Sequence, residues 1–279
     1  MKLLNSLYLD TREHLLADLL ELYATQWYVM VNFLYFANMM KRRLLEDMQY
    51  APDPAKAHIY KKALEEWDFL LADGIALQLF TRAHSLPQPP NLNGTDLNPR
   101  LFQELSQRGS ISVYLLQFYD PRIWKDESYL QKWVDVLQDR FPGLTVVRAE
   151  QILYSDPDRD EKVASLHIDV HAQAVSDSSD FKMFFNCLGT PVQEVATYMT
   201  RDELKKSGLI VLNAWWTIDY MTWLEERAPA RVVKARVLET FWRIFTQPKK
   251  NLKKFLVMFG VVRYIPMTFL QHIRTIWKI

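Results

Sequence analysis

The sequence predicts an α+β protein with a helical N-terminal third, a mixed middle that contains the strands, and a helical, basic C-terminal segment. Leucines recur at helical spacing after residue 10, β-type runs cluster between residues 111 and 216, and Lys and Arg accumulate from residue 231. The regions we expect are therefore residues 1–100, 101–230 and 231–279, with one compact unit as the alternative. The Pro- and Asn-rich stretch Ser85–Pro99 is the best candidate boundary.

The composition excludes several classes of site. The chain is 49% apolar and 24% charged, as ordinary globular proteins are. Cys187 is the only cysteine, so an intramolecular disulfide and a cysteine-based metal centre are both excluded, and a reducing, cytoplasmic location is predicted. The seven glycines form neither a G-x-G-x-x-G motif nor a P-loop, which disfavours a Rossmann or Walker phosphate site.

The first helix is predicted from a capping box formed by Asp10 and Glu13, followed by leucines at helical spacing. The 19 residues of Leu22–Met40 carry no charge, and their length is close to the roughly 20 residues that span a bilayer. Amide side chains such as Asn32 lie within this run and need hydrogen-bond partners that lipid does not offer. We therefore expect a buried helix packed by residues 54–80, with a transmembrane span as the alternative.

The following elements are predicted in chain order. Asp53-Pro54 begins a second helix, with Leu64, Trp67, Leu70 and Leu71 on one side. Asp126 caps a later helix, and Thr200 with Glu203 caps a short one. Strands are expected at Ile111–Tyr119, Leu144–Arg148, Leu166–Ala172, Phe181–Cys187 and Gly208–Trp216.

The predicted strand Leu166–Ala172 offers a candidate metal site. Its strict alternation places His167, Asp169 and His171 on one face. Residues i and i+2 of a strand are about 6.6 Å apart, which suits a chelate formed by His167 and Asp169. Residues i and i+4 are about 13 Å apart, so His171 would not join them. The alternative is that these polar side chains only face water.

The His-x-Asp pattern of His167 and Asp169 resembles the first two ligands of the Fe(II)/2-oxoglutarate oxygenases, which bind iron with two histidines and one carboxylate. The resemblance implies a degenerate double-stranded β-helix, Fe(II) and 2-oxoglutarate as cofactors, and an unknown small-molecule substrate. It places Asp219 near the position of the third ligand, where the family has a histidine, and Arg231 at the position that binds the oxoglutarate carboxylate. The predicted function is a non-haem iron oxygenase-like protein.

The C-terminal end suggests a different function. Eleven Lys or Arg and one acid lie between Arg231 and Ile279, a net charge of +10, so the first 230 residues carry −9 of the overall +1. A basic, aromatic amphipathic segment suits an anionic membrane surface or an acidic partner, including the chain's own body, better than nucleic acid. The alternative function is a non-enzymatic adaptor or peripheral membrane protein. Its expected contact residues are Lys249, Lys250, Lys253, Lys254, Phe255 and Phe259.

Overall fold

The computed structural model describes residues 6–35, 54–73, 77–78, 81–82, 85–90, 92, 94–119, 129–153 and 155–213. Helices and strands alternate along most of this length, as they do in proteins built around a parallel sheet. In chain order the elements are α1 (Arg12–Gln26), β1 (Val29–Tyr35), α2 (Pro54–Ala63), β2 (Phe69–Asp73), α3 (Gly94–Ser106), β3 (Ile111–Tyr119), α4 (Tyr129–Arg140), β4 (Leu144–Leu153), α5 (Arg159–Ser176), β5 (Phe181–Cys187), α6 (Val192–Met199), α7 (Arg201–Lys206) and β6 (Ile210–Asn213).

The six strands form one sheet in the order β2-β1-β6-β5-β3-β4, and every pair of neighbours is parallel. The mixed helix-and-strand class is thereby confirmed. The double-stranded β-helix is not observed in the described part of the chain. Strands from residues 1–100 and from residues 101–230 pair within this one sheet, and the boundaries of the three regions stay predictions.

Helices cover both faces of the sheet. One face packs against α1, α3 and α4, through a core that includes Leu19, Phe102 and Leu137. The other face packs against α2, α5, α6 and α7. Alternate residues of each strand therefore enter different cores, as Val31 and Met30 of β1 do.

The expectation of one buried helix over Leu22–Met40 is wrong. Helix α1 ends at Gln26, Trp27 follows in the left-handed region at φ 56°, and β1 begins at Val29. A strand buried on both faces is apolar at nearly every position, so its sequence lacks the alternation that distinguishes a strand from a buried helix. Residues 36–40 lie outside the described residues. No helix in the described part of the chain has the length and apolar character needed to cross a membrane.

The second predicted helix is confirmed at Pro54–Ala63, but its extension to Leu70 and Leu71 is wrong for the same reason. These two leucines lie in β2, whose first four residues are buried. The first helix is also capped one residue later than expected. The backbone N–H of His14 donates to Thr11 Oγ1 at 3.3 Å, while Asp10 accepts from the Thr11 N–H at 2.7 Å.

The middle of the chain follows its predicted pattern closely. The strands Ile111–Tyr119 and Phe181–Cys187 are confirmed at both ends, and Leu144–Leu153 extends the predicted strand by five residues. The short helix Arg201–Lys206 follows Thr200 as predicted, and β6 occupies part of the expected final strand. Helix α4 lies where a helix after Asp126 was expected, although Asp126 itself is outside the described residues.

The strand predicted at Leu166–Ala172 is wrong, because this segment lies inside helix α5. Its buried residues are Val163, His167, Val170 and Ala174, spaced by three or four as on one side of a helix. Two polar residues of the apparent alternation, His167 and His171, are four residues apart. That spacing fits the period of a helix as well as that of a strand.

Candidate functional site

His167 and Asp169 do not form a chelating pair. Residues i and i+2 of a helix point about 200° apart. His167 is 0% exposed. The Asp169 side chain is 48% exposed, and its Oδ2 lies 3.2 Å from the Arg148 guanidinium on β4. No group of three or more His, Cys, Asp or Glu that could hold a metal ion occurs among the described residues.

The two histidines of α5 instead hold α7 against it. The Thr200 hydroxyl donates to the Ala196 carbonyl at 2.9 Å, so it accepts a hydrogen bond from His167 Nδ1 at 3.0 Å. Ser207 donates to the Glu203 carbonyl in the same way and bonds to His171 Nδ1. Burial lowers the pKa of His167 to about 3, so the ring is neutral at pH 7.

The other candidate residues lie outside the described residues. They are Asp219, Arg231, Lys249, Lys250, Lys253, Lys254, Phe255 and Phe259.

A row of three asparagines crosses the central strands of the sheet, near the carboxyl ends of β5 and β6 and at the middle of β1. Asn32 of β1 is aligned with Asn213 of β6. Leu212 is aligned with Phe185 of β5, which places Asn186 beside Asn213 at the next level. All three side chains are fully buried. Ligands of open parallel α/β sheets bind at this edge, outside the carboxyl ends of the strands.

Helix α6 contributes further buried polar groups next to this row. Asn186 Nδ2 donates to Thr197 Oγ1 at 2.9 Å, and Thr197 Oγ1 donates to Asn213 Oδ1 at 3.2 Å. The residues of β5, α6 and β6 are thereby joined in one chain of hydrogen bonds. Thr197 is fully buried, so this connection is shielded from water.

The first turn of α6 positions a buried carboxylate. Gln193 Oε1 accepts from the Gly189 N–H at 2.9 Å, and Gln193 Nε2 donates to Glu194 Oε1 at 3.2 Å. Both Gln193 and Glu194 are fully buried. The loop between β5 and α6 is also held from the far side, because the hydroxyls of Thr190 and Tyr60 lie 2.8 Å apart.

Each asparagine of the row keeps one polar atom without a hydrogen-bond partner. These atoms are Asn32 Nδ2, Asn186 Oδ1 and Asn213 Nδ2. A buried polar group left in this state costs about 1–3 kcal/mol of stability. Three such groups lie on neighbouring strands of the sheet.

Asp73 adds a second carboxylate at this edge. It is the last residue of β2, is half-buried, and is aligned with Tyr35 at the end of β1. None of the other five strands in the described part of the chain ends in an acidic residue. Two acidic groups therefore lie at this edge. Asp73 comes from the end of β2, and Glu194 comes from the first turn of α6.

The residues of this edge were not predicted as site residues from the sequence. Asn32, Asn213 and Asp73 each interrupt or end an otherwise apolar strand, and Asn186 lies in a strand whose only other polar residue is Lys182. A lone amide or carboxylate at such a position was the available signal, because the interior of a buried strand rarely accepts a polar side chain.

Comparison with known proteins gives one family. A search of curated proteins finds no match. The model of the "Glycosyl transferase WecG/TagA/CpsF family" matches residues 48–276, that is, 229 of the 279 residues. The match contradicts the predicted non-haem iron oxygenase, its Fe(II) and 2-oxoglutarate, and the non-enzymatic adaptor. The roles given to His167, Asp169, Asp219 and Arg231 depended on those cofactors.

The match also defines the substrate at the level of class. A small-molecule substrate was predicted, and members of a family of glycosyl transferases act on sugars. Because its model covers far more than half of the sequence, the chain belongs to the WecG/TagA/CpsF family of glycosyl transferases.

Proposed function

We propose that the buried polar cluster at the carboxyl edge is the site where this chain transfers a sugar from an activated donor to an acceptor hydroxyl. The observation that carries the proposal is the row of Asn32, Asn186 and Asn213, each with an unpartnered buried amide atom. Sugars carry many hydroxyl groups, and each hydroxyl both donates and accepts hydrogen bonds. They therefore match free amide donors and acceptors.

The amide row would bind and orient the sugar. Asn32 Nδ2 and Asn213 Nδ2 are donors to sugar oxygens, and Asn186 Oδ1 accepts from a sugar hydroxyl. The bonds of Asn186 and Asn213 to Thr197 fix the orientation of both amides before the sugar arrives. Preorganisation of this kind reduces the entropy lost when the sugar binds.

Asp73 is proposed as the general base. As the acceptor oxygen attacks the anomeric carbon, its proton passes to the Asp73 carboxylate. The bond between the anomeric carbon and the leaving group breaks, and the leaving group takes the electron pair. Proton transfer to a positioned carboxylate contributes about 10²–10⁴-fold to such reactions. Glu194 is fixed by Gln193 on the α6 side of the same edge and is proposed to bind a sugar hydroxyl.

The test is release of the leaving group from a panel of nucleoside-diphosphate sugars, with and without acceptor alcohols. We expect Asp73→Asn to lower kcat by about 10²-fold or more and to leave the melting temperature near that of the wild type. Asp139→Asn, on the exposed side of α4, is the matched control and should keep full activity. Full activity of Asp73→Asn would rule out its role as the base.

We also propose that the basic segment 231–279 holds the protein at an anionic membrane surface, while the cytoplasmic location stays a prediction. The segment's net charge of +10 supports this, since each Lys or Arg near such a surface contributes about 1 kcal/mol. Full-length protein should sediment with anionic vesicles at low salt and be released at high salt. Equal, negligible binding to neutral and anionic vesicles would refute it.

A further inference from the structure

Strand β4 is an outer strand of the sheet with unusual features for an exposed edge. Among the described strands it pairs only with β3. It is ten residues long and has neither proline nor lysine, the residues that commonly block edge pairing. Val147 and Leu153 of this strand are 46% and 40% exposed. A long, partly apolar edge of this kind is a template for pairing with another strand.

The hydrogen-bonding groups of β4 identify which residues face outward. The Val146 N–H donates to Gln138 Oε1 at 3.2 Å, so it points away from β3. A bulge at Val147 shifts the register, because Val113 is aligned with Val146 but the next residue, Tyr114, is aligned with Arg148. The N–H and C=O groups of β4 face β3 and the outside in turn. Val146 is aligned with Val113 and faces outward, so the residue aligned with Leu115, two positions along β3, faces outward as well. That residue is Ala149.

We propose that β4 is a homodimer interface, at which it pairs with β4 of a second copy in antiparallel fashion about a two-fold axis at Ala149. Two copies of Ala149 then face each other as a hydrogen-bonded pair, and each Arg148 lies opposite Glu150 of the other copy. The paired segment is short, about residues 147–151, since the bulge ends the regular alternation.

The charges of β4 are self-complementary in this register. Directly opposite residues flanking a hydrogen-bonded pair bring their side chains close together, with Cα atoms about 4.5 Å apart. Arg148 already lies 3.3 Å from Glu150 of its own chain and 3.2 Å from Asp169 on α5. In the dimer, each Arg148 would also lie beside Glu150 of the other copy, so that positive and negative charges alternate across the interface. A shift of the register by one residue would break these pairs.

The arrangement leaves both proposed active sites open. Antiparallel pairing joins the two six-stranded sheets and directs their carboxyl edges in opposite directions. The amide row lies on β1, β6 and β5, and β3 separates these strands from β4. Dimerisation is therefore independent of the proposed sugar transfer.

The test is the molar mass of the full-length chain in solution, measured by light scattering during size-exclusion chromatography over a dilution series. We expect a dimer for the wild type. Glu150→Arg places two arginines opposite each other at two symmetric positions, and it should weaken dimerisation by about tenfold or more. The double variant Arg148→Glu with Glu150→Arg restores the opposite charges and should recover the dimer.

The matched control is Glu104→Arg on α3. The Glu104 side chain is 39% exposed and pairs with Arg108, and the Glu150 side chain is 43% exposed and pairs with Arg148. It should leave the dimer intact. A monomeric wild type would overturn the proposal and indicate that another segment of the chain covers β4. A Glu150→Arg variant that dimerises as strongly as the wild type would overturn it as well.

Discussion

Substitution of Asn213 by valine tests whether the amide row serves a ligand or the fold. The change removes Asn213 Nδ2, a buried donor without a partner, whose burial costs about 1–3 kcal/mol. It also removes the bond that Asn213 Oδ1 accepts from Thr197 at 3.2 Å, worth about 0.5–1.5 kcal/mol. Valine suits the interior of a strand better than asparagine does. The change also leaves the buried Thr197 hydroxyl without this acceptor, which costs about 1–3 kcal/mol by the same rule. Gain and loss are therefore of equal size, and the variant should be about as stable as the wild type.

Asn213→Val should therefore lose activity without losing stability. We expect the melting temperature to stay within about 2 °C of the wild-type value. Sugar transfer should fall by about tenfold or more, because one donor to the sugar is lost. Thermal unfolding followed by circular dichroism and the leaving-group release assay measure the two effects on the same sample.

The control is Asn98→Leu on α3, where a fully buried amide also lacks partners but lies outside the proposed amide row. This variant should gain stability and keep its activity. A fall of several degrees in the melting temperature of Asn213→Val would refute the account of its unpartnered amide. Unchanged sugar transfer would refute its role in the site.

Two further predictions concern the stability of the fold. The folded-state pKa of His167, about 3, lies below the ordinary value of 6.5, so the unfolded chain binds the extra proton. The stability that the neutral ring contributes is therefore lost as pH falls from about 6.5 towards 3, by about 2 kcal/mol between pH 7 and 5. Urea unfolding should show that His167→Leu loses this part of the pH dependence, and an identical pH profile would contradict it. Gly109→Ala should destabilise the fold by about 1–3 kcal/mol, because its Cβ would lie 2.5 Å from Asp180 Oδ2, which accepts from Ser110. In Gly143→Ala, where the new Cβ meets only the Gly109 carbonyl at 3.7 Å but φ is +82°, we expect a backbone strain of about 1 kcal/mol and a smaller fall in melting temperature.

The sequence by itself determined the mixed helix-and-strand class and several elements. Strands Ile111–Tyr119 and Phe181–Cys187 are rich in aromatic and aliphatic residues, and turn residues bound them clearly. Helix α2 begins at Pro54, a residue whose fixed φ suits the first helical position. These signals are local, and neighbouring residues alone are enough to produce them.

Only the tertiary structure decided the identity of the remaining elements. Strands β1 and β2 are buried on both faces, which removes the alternation on which the prediction depended. Helix α5 carries a local His-x-Asp-x-His pattern typical of a strand, but packing against β5 and α7 buries its residues at helical spacing. In both cases burial from two sides, which distant parts of the chain create, outweighs local propensity.

The candidate site depended on the tertiary structure most of all. Asn32, Asn186 and Asn213 are far apart in the sequence and share no motif. They become neighbours because β6 inserts between β1 and β5 and because the register of these parallel strands brings the three residues to one level. The sequence shows each of them as an isolated amide among mainly apolar residues. The order of the strands makes them one site, since strand order is set by long-range packing that no local pattern records.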